Sequence, residues 1–461
     1  MPVLLKEVRN LKNKDISILS GNLFLNIILY SLPIMASGML QLLFNVVGLI
    51  FIGNFGNDLD VAAIGATSQI INLLVNFIIG LSVGASVTLS KFYGANDYDN
   101  IHKTVHTSIA MSVVGGMILL FVGVLFSRQI LVLMTTPEEI FTLSDHYIKI
   151  VYFGLPALMV YNFGSALICA TGDSKRPLYF LTFAGVINIV LNLILVGWLK
   201  TGVYGVGIAS TVSQYISAIL IISYLIKVNG ALKLDFRKLR IYPKIIKSVL
   251  FVGLPAGLQS VVFSISNLVI QKSINSFGTV VITGNTAANN LENFVYRAMN
   301  AIYQSMMTFY GQNFGAKQYY RLPKILFTCI VIVFVIGFGM GQSVYMLGEN
   351  LLKIFTTNPE AIQYGMVRLS YIGALYFVYG ILEVFIGGLR VLGYSIVSTL
   401  ISFFGVCVFR IAWIYTIFPL NPTLNNLYLS FPTSWFLTCV VVIVCYFVLS
   451  KRVINKEKMV S

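Results

Sequence analysis

Residues 24–52 read FLNIILYSLPIMASGMLQLLFNVVGLIFI, an uncharged and mostly apolar run with a single proline at position 33. A helix that rises 1.5 Å per residue needs about 20 apolar residues to cross the roughly 30 Å hydrocarbon core of a bilayer. The run therefore predicts a membrane-spanning helix, in which the proline is tolerated as a kink.

Runs of this kind recur along the whole chain. Of its 461 residues, 57% are hydrophobic and only 10% are charged, which leaves too little polar surface for a water-soluble fold. The pattern predicts twelve membrane-spanning helices, at residues 24–52, 61–91, 103–126, 146–169, 177–199, 205–227, 246–275, 282–311, 324–347, 362–390, 396–418 and 430–450.

The second half of the chain resembles the first at a nearly constant offset. Ser-Leu-Pro ending at Pro33 parallels Gly-Leu-Pro ending at Pro255, 222 residues later. Asn-Phe-Gly ending at Gly56 parallels Ser-Phe-Gly ending at Gly278 at the same offset. We predict an all-α integral membrane protein in which two parallel six-helix repeats enclose a cavity. The predicted division is a first lobe at 1–227, a cytoplasmic linker at 228–245 and a second lobe at 246–461.

The formal charge of +15 comes from Lys and Arg residues placed mainly in loops and near the termini. Clusters lie at 6–14, 227–247 and 451–458, and such cations favour the cytoplasmic side of a membrane. This predicts a multi-pass membrane protein with both termini on the cytoplasmic side, whose cations face anionic lipid and not nucleic acid. The same reasoning assigns Arg368 to an outer loop and Arg390 to an inner one.

Glu292 and Glu383 are the carboxylates that fall well inside predicted spans. An ionised side chain at mid-membrane costs about 2.5–3.5 kcal/mol, so each must face a cavity, find a partner or be protonated. We interpret both as candidates for binding a coupling ion. The alternative is a structural ion pair, with Arg297 or Arg410 for Glu292 and with Arg410 for Glu383.

Uncharged polar side chains also fall inside the predicted spans. Several lie three or four residues from Glu292 or Glu383, hence on the same helix face, whereas those of the first half have no carboxylate beside them. Asparagines of this kind often act only as packing contacts between membrane helices. The alternative is a substrate cavity, whose candidate residues are Gln41, Asn45, Tyr161, Asn162, Asn188, Asn192, Asn267, Asn289, Asn293, Tyr296 and Tyr379.

The remaining motifs argue against an enzyme. The sequence has no Walker A motif, zincin motif or nucleophile elbow. Its five cysteines lack paired-ligand spacing, and His102 and His106 lie at a helix start without an acidic partner, where we expect them to be solvated. We predict no metal and no cofactor.

Several short segments resemble the multidrug and toxic compound extrusion (MATE) family, in particular its branch common in Gram-positive bacteria. The resemblance implies two lobes arranged as a V. It also implies an antiporter of the bacterial cytoplasmic membrane that exchanges H⁺ or Na⁺ for small organic, often cationic, compounds. We expect it to act as a monomer. The segments are AAIG at 62–65, TGDSKRP at 171–177, GLP at 253–255, GQNFGA at 311–316 and LRVLG at 389–393.

The chain departs from the family at two acidic positions of the first lobe. Members commonly carry an aspartate in the first helix, near Gly48 here, and another in the fifth, where Asn192 stands. The coupling role is therefore assigned to Glu292 and Glu383. The alternatives are a flippase for lipid-linked saccharides, or a membrane receptor that has lost ion coupling.

Overall fold

Twelve long helices make up the part of the chain that the structure describes. The computed structural model describes residues 17–460, apart from the side chains of Asn45, Val46, Leu49 and residues 458–460. Within the described chain the prediction of twelve helices is confirmed, and each predicted span lies inside an observed helix to within one residue. The helices are α1 Leu23–Phe55, α2 Asp58–Gly94, α3 Tyr98–Leu133, α4 Glu138–Ala170, α5 Lys175–Trp198, α6 Val203–Lys227, α7 Pro243–Asn275, α8 Thr279–Gly315, α9 Tyr319–Met346, α10 Pro359–Val391, α11 Ser395–Leu420 and α12 Leu424–Val460.

Helix α8 differs from the other eleven in composition. Those eleven are long and apolar enough to cross a membrane, whereas α8 is 37 residues long but too polar for that criterion. Most of its residues between Val281 and Asn313 are buried inside the protein. Since α8 meets protein and not lipid along most of its length, it tolerates polar side chains at bilayer depth.

Corresponding turns of the two repeats share a glycine conformation. Gly172 follows α4 with φ of 106°, and Gly393 follows α10 with φ of 92°. This left-handed region is costly for residues with a Cβ atom, so glycine ends both helices without strain. The two residues are 221 positions apart, as the internal repeat predicts.

The repeats meet through close backbone contacts along the second half of α2. A Cβ atom at Gly84 would lie 2.0 Å from the carbonyl oxygen of Val249 in α7. A Cβ atom at Gly94 would lie 1.9 Å from the carbonyl oxygen of Gln312 in α8. These contacts close the end of the bundle where the chain passes from α6 to α7, which we call the linker end.

The segment between α6 and α7 is held against α3. The backbone N–H of Asp235 donates to Nε2 of His106 at 3.1 Å, and that of Tyr242 donates to Oγ1 of Thr107 at 3.1 Å. His106 is fully buried, so the prediction that it is solvated is wrong. Its imidazole instead satisfies a backbone donor of the linker, while Nδ1 is bonded to the carbonyl oxygen of His102.

Helix α4 begins earlier than predicted, at Glu138, and therefore includes another buried carboxylate. Asp145 accepts hydrogen bonds from Ser127 at 2.6 Å and from Lys149 at 2.7 Å. Arg128 lies 3.3 Å away on the same carboxylate. Two cations and a hydroxyl thus compensate for the burial of this group.

Candidate functional site: a charged cavity between the repeats

A cavity of about 300 Å³ lies where α2 of the first repeat faces the second repeat. Helices α7, α8, α10, α11 and α12 contribute the other walls. A volume of this size suits a small organic ligand. Seven of the residues predicted for the site line it: Asn267, Asn289, Glu292, Asn293, Tyr296, Tyr379 and Glu383.

Glu292 is held in an ion pair with Arg368 of α10. The Oε1 atom of Glu292 lies 3.0 Å from Nε of Arg368, and Oε2 lies 2.7 Å from Nη2. Arg368 also donates to the side-chain oxygens of Asn285 and Asn289. The bidentate geometry satisfies both charges in a site where Glu292 is 3% exposed.

The assignment of Arg368 to an outer loop is therefore wrong. Helix α10 begins at Pro359, nine residues earlier, and Arg368 is only 7% exposed. The partners considered for Glu292, Arg297 and Arg410, form no ion pair with it in the described chain. The distribution of Lys and Arg between loops assigned Arg368 to an outer loop, because that reasoning did not consider a buried carboxylate on another helix as its partner.

Glu383 has different surroundings. The hydroxyl of Tyr379 donates to its Oε1 at 3.2 Å, and the side chain is half-buried beside the cavity. Arg390 acts on it electrostatically, yet no Lys, Arg or His nitrogen among the described residues lies within 4 Å of its oxygens. Glu383 is thus a cavity carboxylate without an ion-pair partner in the described structure.

Arg390 is buried as well, at 4% exposure, so its assignment to an inner loop is also wrong. Its Nη2 donates to Oε1 of Gln259 at 2.6 Å, and Nη1 donates to the hydroxyl of Tyr303. These contacts join α10 to α7 and α8. The neutral partners allow a cation to remain in the wall of the cavity.

Aromatic rings form one side of the same cavity. The ring centroids of Tyr376 and Trp435 are 5.2 Å apart, and those of Tyr379 and Trp435 are 5.6 Å apart. The guanidinium carbon of Arg410 lies 4.2 Å from the ring centroid of Phe431 and 5.4 Å from that of Trp435. The wall offers flat faces to a planar ligand and a cation beside them.

A second cavity, of about 140 Å³, adjoins the first. Arg297, Asn300 and Tyr303 of α8 line both cavities. The predicted residues Gln41, Tyr161 and Asn162 line only the second one, whose first-repeat walls are uncharged. The structure therefore places the predicted residues in two adjoining spaces, of which the second contains only one described charged side chain, that of Arg297.

Three predicted residues remain. Asn192 donates to Oδ1 of Asn188 at 3.1 Å, and Asn188 donates to Ser213 at 3.2 Å. This buried chain of contacts ties α5 to α6, and neither asparagine lines the two cavities. The side chain of Asn45 lies outside the described structure.

A family model described as MatE matches the chain twice, at residues 33–194 and 255–416. The two matches start 222 residues apart, which is the offset found within the sequence. The probable multidrug resistance protein YoeA of Bacillus subtilis is 26% identical over 386 residues, which cover 82% of this chain and 83% of the relative. YpnP of the same organism, also a probable multidrug resistance protein, is 28% identical over 390 residues, with coverage of 83% and 86%. The multidrug export protein MepA of Staphylococcus aureus is 21% identical over 373 residues, with coverage of 81% and 82%.

Solved structures share the fold. A MOP superfamily transporter from Pyrococcus furiosus, described as having a binding pocket of reversed polarity, superposes with a TM-score of 0.89 at 18% identity and coverage of 96% and 99%. A MATE structure in complex with MaD3S gives a TM-score of 0.88 at 19% identity with the same coverage. Because the family model covers more than half of the chain in two successive copies, this multi-pass membrane protein belongs to the MatE family, that of the MATE transporters.

Proposed function

We propose that the protein is a secondary active exporter of small organic molecules, which antiports H⁺ or Na⁺ by alternating access. The relatives named as multidrug resistance and multidrug export proteins support the substrate class. We further propose that it works as a monomer in the bacterial cytoplasmic membrane, with both termini and the linker inside.

This proposal rests on the carboxylate of Glu383, which has no ion-pair partner among the described residues. A carboxylate exposed to the cavity and free of an ion pair can bind a proton, a sodium ion or the basic group of a substrate. These occupants compete for one negative charge, and this competition couples export to ion entry. The groups that face Glu383 are Tyr379, Arg390, Tyr296 and Tyr303, so its carboxylate is the acidic member of the cluster.

Glu292 has a different role in this proposal. Both of its oxygens are bonded to Arg368, so a proton or sodium ion would have to displace a guanidinium group. We therefore assign ion exchange to Glu383, while the Glu292–Arg368 pair positions α8 against α10. A membrane potential of 100 mV supplies about 2.3 kcal/mol for each charge that enters, enough to drive substrate against a gradient.

The test is ion-driven dye transport by purified protein in liposomes. We expect a proton or sodium gradient to drive dye movement by the wild type, and Glu383→Gln to abolish it. The control is Glu360→Gln, a change at an exposed carboxylate near the start of α10 that should leave the rate unchanged. Wild-type protein that moves no dye with either ion, or Glu383→Gln that transports at the wild-type rate, would contradict the proposal.

A further inference from the structure

The cavity between the repeats contains more positive than negative charge. Arg297, Arg368, Arg390 and Arg410 line it together with the two carboxylates, which leaves a formal charge of +2 when both are ionised. Glu292 neutralises Arg368, and Arg390 is the cation that acts on Glu383. The cavity thus has an excess of cations, although the proposed export uses a carboxylate.

Arg410 is a deeply buried guanidinium group whose contacts are incomplete in the described chain. It is 3% exposed, and its Nε donates to Oγ of Ser434 at 2.9 Å. Its Nη2 atom has no hydrogen-bond partner in the described chain, and no carboxylate there lies within 4 Å of its nitrogens. A buried charged donor without a partner is costly, so the position favours an anionic ligand.

Glu383 and Arg410 each lie beside a different ring of one aromatic pair, Tyr379 and Trp435. Tyr379 donates to Glu383 at 3.2 Å, its ring centroid lies 5.6 Å from that of Trp435, and Arg410 lies 5.4 Å from the Trp435 ring. The carboxylate is thus bonded to the hydroxyl of one ring and the guanidinium group lies beside the other ring, with the two ring planes tilted by 48°. An aromatic molecule that packs against these rings in the cavity can present a basic group to the carboxylate and an acidic group to the guanidinium group.

We propose that the cavity selects amphoteric aromatic compounds, whose basic group binds Glu383 and whose carboxylate, sulfonate or phosphate group binds Arg410. The inference rests on the proposed export, since it names the substrate class of the same site. It also agrees with antiport. Protonation of Glu383 displaces the basic group, while Arg410 supplies affinity that does not depend on the coupling ion.

Two dyes that differ in one acidic group test this proposal. Rhodamine 110 carries a free carboxylate, and rhodamine 123 is its methyl ester. We expect wild-type protein to bind rhodamine 110 at least tenfold more tightly, as measured by fluorescence polarisation without an ion gradient. Arg410→Gln should remove that preference by weakening the binding of rhodamine 110 alone. Arg410→Lys should retain part of the preference.

Other variants separate ligand binding from structural damage. Glu383→Gln should weaken the binding of both dyes, because both carry the basic xanthene group. The control Lys272→Gln changes an exposed cation of α7 that lines neither cavity and should change neither affinity. Equal binding of the two dyes by wild type would overturn the proposal, as would equal weakening of both by Arg410→Gln.

Membrane lipid is another source of a phosphate beside an amine. Phosphate analysis of purified protein should find the same amount of bound lipid in wild type and Arg410→Gln. About one additional lipid phosphate per wild-type molecule would mean that Arg410 binds a lipid headgroup. It would overturn the proposal that Arg410 binds the acidic group of a soluble substrate. Dye preference without ion-driven transport would contradict only the proposed export, whereas ion-driven transport of both dyes at rates independent of Arg410 would contradict only this inference.

Discussion

Glu292 and Glu383 line the same cavity, but only one of them has its charge neutralised by a neighbour. The two hydrogen bonds from Arg368 make Glu292 part of the wall between α8 and α10. Glu383 has only the hydroxyl of Tyr379 within hydrogen-bonding distance in the described chain. Two carboxylates at similar depth therefore have separate tasks, which follow from their partners and not from their residue type.

Loss of one member of the buried pair should be more damaging than loss of both. Glu292→Gln leaves the Arg368 charge without its counter-ion, and breaking a buried pair in this way costs about 3–5 kcal/mol. We expect a marked fall in the thermal unfolding temperature of the purified protein. The double variant Glu292→Gln with Arg368→Gln should recover much of the loss, since no uncompensated charge remains.

Glu360→Gln again serves as control, because this exposed carboxylate near the start of α10 forms no ion pair in the described chain. Its unfolding temperature should equal that of wild type. If the losses of the two single variants simply added in the double variant, the two side chains would not be coupled as the contacts indicate.

At the residue scale, the sequence predicted which buried carboxylates need a partner or a cavity, but it did not predict the partner. The energy cost of charge in a membrane identified Glu292 and Glu383. The partner Arg368 depends on which helices pack side by side, and a linear sequence does not contain that information. One signal was available: Arg368, Tyr379, Glu383 and Arg390 recur at intervals close to whole turns and so share a face of α10.

Irregular turns lie next to two arginines of the cavity, Arg368 and Arg410. A π-helical segment, Leu369–Gly373, directly follows Arg368, and another, Phe403–Val408, ends two residues before Arg410. A π turn changes the direction of the side chains that follow it, and such turns are frequent at functional sites. A regular 3.6-residue period predicted these two helices correctly, but it does not predict their local departures.

Helix α2 controls how closely the repeats approach at the linker end. Any side chain at Gly84 must push Val249 and Gly253 away, because its Cβ atom would lie 2.0 Å from a backbone oxygen. We expect Gly84→Val to disfavour closure of this end and to slow transport several-fold. A cysteine introduced at Ser90, which is fully buried, should then react faster with a membrane-permeant maleimide.

Gly65→Val is the matched control on the same helix. A Cβ atom at Gly65 would have no atom within 4 Å, so both transport and labelling should stay at their starting values. Gly84→Ala gives a milder test if the valine variant does not fold. Unchanged labelling of Ser90→Cys in both Gly84 variants would show that the contact does not limit opening.

Across the whole molecule the two repeats share an architecture but contribute unequally to the charge of the cavities. The helices were predictable from the length of the apolar runs. The offset of 222 residues was predictable from the order of Pro and Gly along the chain. The unequal distribution of charged groups around the cavities was not predictable from the sequence. Among the described residues, the second repeat supplies all the charged groups of the two cavities, whereas Asn188 and Asn192 of the first repeat are bonded to each other away from both.

This asymmetry predicts how the repeats move. If ion binding at Glu383 drives alternating access, the two ends of the bundle must change their separation in opposite directions. Spin labels at exposed Tyr98 and Tyr320 report the linker end, and labels at exposed Asp58 and Thr279 report the other end. The partly exposed Cys169 and Cys445 are first replaced by serine.

We expect dipolar distances between Tyr98→Cys and Tyr320→Cys to lengthen on a change of pH or sodium concentration, while those between Asp58→Cys and Thr279→Cys shorten. In Glu383→Gln both distances should stop responding, because the side chain that binds the ion is gone. Glu360→Gln should respond as wild type does. Distances that lengthen together at both ends would mean that the repeats separate without rocking, and a response that persists in Glu383→Gln would place the ion at another residue.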